Sequence, residues 1–194
     1  MILLRDKANV EACYPFRGRI NEVPNGEVRV IQMKDVSPEI GVDWSSLIST
    51  ELEGRGTPKW LKNGSIIFMS RGSRNFAIFL EQVPEMTVCS PLFFHIHTKT
   101  DDILPSFLAW QLNQRAAQDY FKRERMGTHQ LSIRRKTLEE MSITVPPMET
   151  QKKIMELDRV MREEQRLYKQ LAINSAHMMQ ALTQDLLTGK VKLD

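Results

Sequence analysis

Two short segments of this chain carry the side chains with which proteins read nucleic acids. In Ser70-Arg71-Gly72-Ser73-Arg74-Asn75, guanidinium, hydroxyl and amide groups crowd around one glycine. A guanidinium can pair bidentately with guanine in the major groove, an asparagine amide can pair with adenine, and a serine hydroxyl can hold phosphate. The same inventory also describes an ordinary polar turn, and residue types alone leave both readings open. The second segment, Gly127 to Lys136, offers Thr128, Gln130 and Ser132 and then the run Arg134-Arg135-Lys136. That set suits a phosphate backbone, a contact that positions a protein and specifies nothing. Arg17 and Arg19 in FRGRI, and Lys122, Arg123 and Arg125 in KRER, add further basic clusters. Any one of these is more often a solvated face. Several in one small domain, with a net charge of +3 and a pI near 8.9, tilt the balance modestly toward phosphate contact.

Catalytic chemistry finds little support. The chain has no Gly-rich phosphate loop, no GxSxG elbow and no HExxH. His95-Ile96-His97 is the best metal candidate, since alternate residues of a strand face the same way, but no third ligand stands at a convincing spacing. No metal site is expected. Asp101-Asp102, before Pro105, reads as a complement to a helix dipole. Cys13 and Cys89 are far apart and outside any CxxC spacing, so two free thiols are expected.

The elements that must position these groups follow from the hydrophobic pattern. At 194 residues with 41% hydrophobic and 26% charged, the chain fits one substantial domain plus an appendage. No apolar run is long enough to span a membrane, and charge interrupts the first residues too early for a signal peptide, so a cytoplasmic location is expected. VRVIQM (28–33) and SIIFMS (65–70) follow turn signals and read as half-buried strands. TVCSPLFFHIHT (87–98) reads as a third strand interrupted at Pro91. Pro105 suits a first helical turn, and Phe107, Leu108, Leu112, Ala116 and Tyr120 recur at helical spacing, predicting one helix that ends near Gly127. Thr137-Leu138-Glu139-Glu140 has the form of a capping box for a short helix. SITV then leads to Pro146-Pro147, where a domain spanning 1–147 closes.

From Met148 to Leu187 there is neither glycine nor proline. Ile154, Leu157, Met161, Tyr168, Leu171, Met178 and Leu182 fall on one stripe of a helix over 148–187, which at about 1.5 Å per residue is roughly 60 Å long. Glu164, Ser175 and Asp185 interrupt the seam, while Val160, Leu167, Ala172, Met179 and Leu186 widen the apolar face toward more than one neighbour. An internal core helix is the bland alternative, but 147 residues of mixed structure could hardly cover that length. Residues 188–194 form a tail, with Leu187-Thr188-Gly189 as its stop signal.

Taken in order, FRGRI, PNGEVRVIQMKD, WLKNGSIIFMSRGS, ILPSFLAWQLN, GTHQLSIRRKTLEEMSITVPPMETQKKI and LTQDLLTGKVKL resemble a half-repeat of the DNA specificity subunits of type I restriction-modification systems. Each piece is a weak pattern; their order and spacing together are specific. Cys13, where a glycine is expected, and His129, where a small polar residue is expected, depart from the pattern. So does the length, since the usual subunit carries two recognition domains and two long helices.

The resemblance implies an α+β target recognition domain with a mixed or antiparallel sheet and short helices, followed by a coiled-coil-like spacer helix. It implies a non-catalytic protein that directs adenine methyltransferase subunits, and indirectly a restriction-motor subunit, to a bipartite site on double-stranded DNA. S-adenosylmethionine would be bound by the partner, and this chain would hold no cofactor. The expected base-proximal residues are Arg71, Ser73, Arg74 and Asn75, then Arg17, Arg19, Gln32 and Lys34. Thr128, Gln130, Arg134 and Arg135 are the expected backbone contacts. A second helix would come from another copy, the stripes pairing antiparallel in a homodimer that reads a gapped palindrome with half-sites at most about 15 to 18 base pairs apart. The alternatives are a fragment that pairs with a different half-subunit, an inhibitory module that occupies the methyltransferase without reading DNA, and a metal-dependent nuclease, for which no acidic cluster speaks.

Overall fold

Short apolar runs separated by turn residues fold into short strands when each can pair with a neighbour that covers it. The computed structural model describes residues 2–52, 56–72, 74–126 and 132–188. In chain order they form β1 (Ile2–Leu3), α1 (Leu4–Lys7), β2 (Ala8–Ala12), β3 (Val28–Ile31), a 3-10 turn (Met33–Asp35), β4 (Val36–Ser37), β5 (Gly41–Val42) and β6 (Ile48–Thr50). There follow β7 (Ile66–Met69), β8 (Ala77–Phe79), β9 (Thr87–Cys89), β10 (Phe93–Thr98), α2 (Pro105–Asn113), α3 (Arg115–Met126), α4 (Arg135–Glu139), β11 (Ser142–Ile143) and α5 (Met148–Leu187). By contacts the chain divides into Met1–Lys152 and Lys153–Asp194. The architecture is α+β.

In the first unit, β2, β10, β7 and β8 form an antiparallel sheet in that order. A second sheet has the order β6-β3-β9, with β3 antiparallel to β6 and parallel to β9. Gly26 stands where the chain enters β3; a Cβ there would lie 2.7 Å from the Thr50 backbone, so only glycine fits the close approach to β6. The run SIIFMS is not half-buried as its reading suggested: all four residues of β7 are buried. Phe68 meets Phe121 of α3 at 5.1 Å between centroids, while Ile67 and Met69 join Ile31, Leu80, Cys89 and Phe93 in a core on the other side. A continuous apolar run means cover on both faces.

The 87–98 run is two strands, not one. Pro91 sits in the turn between β9 and β10, and the two strands serve different sheets. This arrangement also overturns the expectation of free thiols. Cys13, just after β2, and Cys89, the last residue of β9, have Cα atoms 5.4 Å apart and form a disulfide across 76 residues of sequence. Linear separation gave no hint of it, because two strand ends from different sheets meet there.

The single helix expected from Pro105 to Gly127 is broken at Gln114, whose backbone is extended. The Asn113 carboxamide causes the stop: Oδ1 accepts from Ala77 N at 2.8 Å and Nδ2 donates to Ala77 O at 2.8 Å. The Gln114 and Gln118 amides then cap the end of α2 by donating to Trp110 O and Leu112 O. Thr137 is not a cap, because α4 starts earlier, at Arg135, with Arg134 at its N-cap. Asp102 does not complement a helix dipole. Its carboxylate accepts from Lys7 Nζ and Thr100 Oγ1, both at 2.5 Å, and these bonds hold it below the usual carboxylate range.

Gln151 explains why the first unit extends past Pro147. This residue of α5 is fully buried: Oε1 accepts from Leu104 N at 2.9 Å, and Nε2 donates to Asp102 O and Pro146 O at 2.7 and 2.8 Å. In the second unit, α5 continues to Leu187 as the long uninterrupted helix expected from its composition. Leu157, Met161, Tyr168, Leu171, Met178 and Leu182 are exposed along it and Ile154 is half-buried. Val160, Leu167, Met179 and Leu186 expose a second apolar stripe. Ion pairs such as Arg162–Asp158 at 2.6 Å and Arg166–Glu163 at 2.7 Å serve the polar face.

Candidate nucleic-acid interface

Three segments far apart in sequence meet on one face of the first unit. The loop after β7 is fixed at its base by Ser70, whose amide and hydroxyl both donate to Leu92 O, at 2.9 and 2.8 Å. Ser70 O in turn accepts from Ile133 N at 2.8 Å, and Arg71 forms an antiparallel bridge with Ser132. The two segments richest in recognition chemistry therefore run side by side. Gly72, at a φ of +115° that other residues rarely adopt, lies beside the 3-10 turn: a Cβ there would be 3.8 Å from Met33 Sδ. This brings in Gln32 and Lys34.

The cations of this face differ in what neutralises them. Arg74 lies 3.7 Å from Glu39, an exposed pair of little strength. Arg135 is held by Glu139 at 2.7 Å and Lys136 by Glu140 at 3.8 Å. Arg71, Lys34 and Arg134 are exposed, and no carboxylate among the described residues pairs with them. They remain available to an anion. Arg17 and Arg19, also exposed and unpaired among the described residues, stand elsewhere; with Phe16, Ile20, Thr50 and Glu51 they line a separate cleft of about 420 Å³. No described contact joins them to the other three segments. Ser73, Thr128 and Gln130 lie outside the described residues, as does His129.

Asn75 does not belong to the surface. It is buried, and its Nδ2 donates to Met69 O at 2.9 Å, which ties the end of the loop to β7. The residue types of SRGSRN do not reveal that its last member turns inward. Asn75→Ala is expected to lower unfolding stability by about 2 kcal/mol, read from a urea transition, through the lost bond and the emptied site. The bases preferred by the folded variant should stay as they are; a change confined to one base would return Asn75 to the reading surface.

Asp35 was missed by sequence reasoning. It is buried, and its carboxylate accepts from Gln32 N at 2.9 Å and Ser46 Oγ at 3.1 Å, while its carbonyl accepts from Asp43 N at 2.8 Å. The only signal was an acid two residues after the end of an alternating run. These bonds lock the turn that displays Gln32, Met33 and Lys34.

The two histidines of β10 each have a polar neighbour. His95 is buried, with Nε2 2.9 Å from Ser65 Oγ, and burial pushes its pKa down to about 4. His97 Nε2 lies 2.9 Å from Asn9 Nδ2. Among the described residues no group of three or more histidine, cysteine or acidic side chains is placed to hold a metal ion.

The family model for the type I restriction modification DNA specificity domain matches residues 8–171. No curated protein matches in a sequence search. Among solved structures, a type I restriction-modification S subunit from M. genitalium is similar at a TM-score of 0.57 with 12% identity, over 93% of this chain and 43% of that one. A chain from a study of complex assembly and conformational transition of the type I R-M system is similar at a TM-score of 0.58 with 16% identity, over 93% of this chain and 42% of that one. The chain spans less than half the length of these proteins, and at such identities the likeness is one of fold.

Proposed function

Since this chain belongs to the type I restriction-modification DNA specificity family, we propose that it selects a double-stranded DNA sequence through the face on which Gln32–Lys34, the pair Arg71 and Arg74, and Ser132–Arg135 converge. Specificity subunits are the non-catalytic members of their complexes. The observation that carries the reading is the convergence itself: three segments separated by dozens of residues present cations that no carboxylate among the described residues pairs with, beside hydrogen-bonding side chains. Arg71 and Arg74 read base edges, a role assigned to Ser73 from residue type alone; Gln32 and Lys34 flank the two arginines. Arg134 and Arg135, with Thr128 and Gln130, hold the phosphate backbone. Arg17 and Arg19, on their separate cleft, follow the flanking phosphates.

The partners follow from the same reading. Methyltransferase subunits bind S-adenosylmethionine and methylate adenine where this chain places them, and a restriction subunit joins through them; the chain holds no cofactor of its own. Among the described residues no helix is long and apolar enough to cross a membrane, and we place the complex in the cytoplasm with its DNA. Two copies pair their α5 stripes antiparallel, so that one recognition domain per chain supplies both halves of a gapped palindrome.

Selection of bound duplexes from a random library at fixed moderate salt tests this. Enrichment of a gapped palindrome is expected. No enrichment, alone and again with methyltransferase subunits added, would leave docking without DNA reading as the better account. Arg74→Ala should relax the preference at one base pair by about 1–3 kcal/mol. A loss spread evenly over all sequences would make Arg74 a phosphate contact instead.

A further inference from the structure

The 3-10 turn after β3 holds an apolar side chain out toward solvent from the middle of a basic face. Met33 is 51% exposed, although it follows Val30 and Ile31, which are fully buried. Its backbone is not free to tuck it inward. The buried Asp35 carboxylate holds Gln32 N, Asp35 N donates to Gln32 O at 3.1 Å, and Ser90 N donates to Ile31 O at 2.9 Å. A buried carboxylate thus maintains a turn whose outward product is Gln32-Met33-Lys34. The Met33 sulfur lies close to Gly72, next to Arg71: a Cβ at Gly72 would be in ordinary van der Waals contact with it at 3.8 Å.

We propose that Met33 is a specificity-determining residue that reads the 5-methyl group of a thymine in the major groove. This rests on the DNA-reading function proposed above. Thymine is the only base that offers an apolar group at the floor of that groove, and an apolar side chain presented among polar readers is its complement. Methionine suits the task because its unbranched, polarisable chain adapts to a small apolar target. Rigid presentation matters as much as chemistry, since a contact worth one methyl group survives only if little ordering is needed to make it. Of the other large exposed apolar side chains among the described residues of this unit, Met86 lies before β9, and Ile40 stands on the β4–β5 hairpin beside Glu39, the ion-pair partner of Arg74, so Ile40 is the control in the test below.

The test takes the site selected from the random library and replaces its thymines one at a time by deoxyuridine, which removes only the methyl group. With the unaltered protein, one substitution per half-site should weaken binding about fourfold, the worth of one buried methyl. Met33→Ala should bind the thymine and uracil duplexes equally at that position and keep the rest of its selected sequence. Met33→Leu should restore part of the difference. The thermal unfolding of both variants should match the unaltered protein, since the side chain is half exposed. Equal thymine-to-uracil effects in the unaltered protein and Met33→Ala would overturn the assignment, as would a selected site without an enriched thymine, or loss of the effect in Ile40→Ala and not in Met33→Ala. No enrichment of any sequence would remove the DNA-reading function itself, and Met33's role with it, an outcome distinct from all of these.

Discussion

Leu171→Asp combined with Met178→Asp is expected to convert the proposed dimer into monomers and to weaken binding to the full two-half site by about 100-fold or more. Both residues lie exposed on the principal stripe of α5, and in an antiparallel pair each substitution occurs twice. The change removes about 2 kcal/mol of apolar burial at each position and puts a carboxylate in its place, which must either be desolvated or hold the helices apart. The larger consequence is for DNA. Two linked recognition domains gain from effective concentration, because the second half-site is bound almost intramolecularly, and this gain alone spans about 10² to 10⁴. Sedimentation should give the mass of one chain for the variant and two for the unaltered protein. Affinity for a single half-site should be the same for both. A variant that remains dimeric, or an unaltered protein that is monomeric at high concentration with DNA present, would sink the antiparallel pairing.

Reduction of the Cys13–Cys89 disulfide is expected to lower unfolding stability by about 4 kcal/mol. The bond closes a loop of 76 residues, and cross-linking a chain over that distance restricts the unfolded ensemble by about this amount in the chain-entropy model. In denaturant titrations the unaltered protein should unfold at clearly lower concentration once a thiol reductant is added. Cys13→Ala should unfold at the lower concentration with or without reductant. Two titratable thiols in the untreated protein, with the same unfolding midpoint in both conditions, would show that the pair does not bond. The prediction bears on location as well. A cytoplasm keeps most thiols reduced, so there the protein would work with the smaller margin, and the two sheets would be held together by packing among Ile31, Ile67, Leu80 and Phe93.

What could be read from the sequence and what could not divides along physical lines. The long helix was legible because forty residues without glycine or proline, striped at helical spacing, admit few other structures. Strands β3 and β7 were legible from alternation and turn signals. The number of faces β7 buries was not, because cover on the second face comes from residues as distant as Cys89 and Phe93. The break between α2 and α3 was hidden for a similar reason: hydrophobic spacing runs straight through Gln114, and only the strand opposite shows why Asn113 stops the helix. At the candidate interface, the sequence named the cations but not their grouping. Arg71 and Arg134 sit on neighbouring segments, while Arg17 and Arg19 line a cleft of their own. The inward turn of Asn75 and the anchoring role of Asp35 depend on partners such as Met69 O and Ser46 Oγ, which no local pattern announces.

The Asn113 carboxamide does more than end a helix. Strand β8 lies at the margin of the four-stranded sheet, with β7 on one side only. Its outward backbone donor and acceptor at Ala77 are both taken by Asn113, so one side chain stands in for the next strand. An open margin is a template on which another chain can add itself, the first step of edge-to-edge aggregation. In a protein proposed to hold two copies side by side, that protection matters more than in a solitary domain. Asn113 thus disfavours addition at this margin of the sheet, and under the pairing proposed above association falls to the surface of α5, where it has a defined stoichiometry.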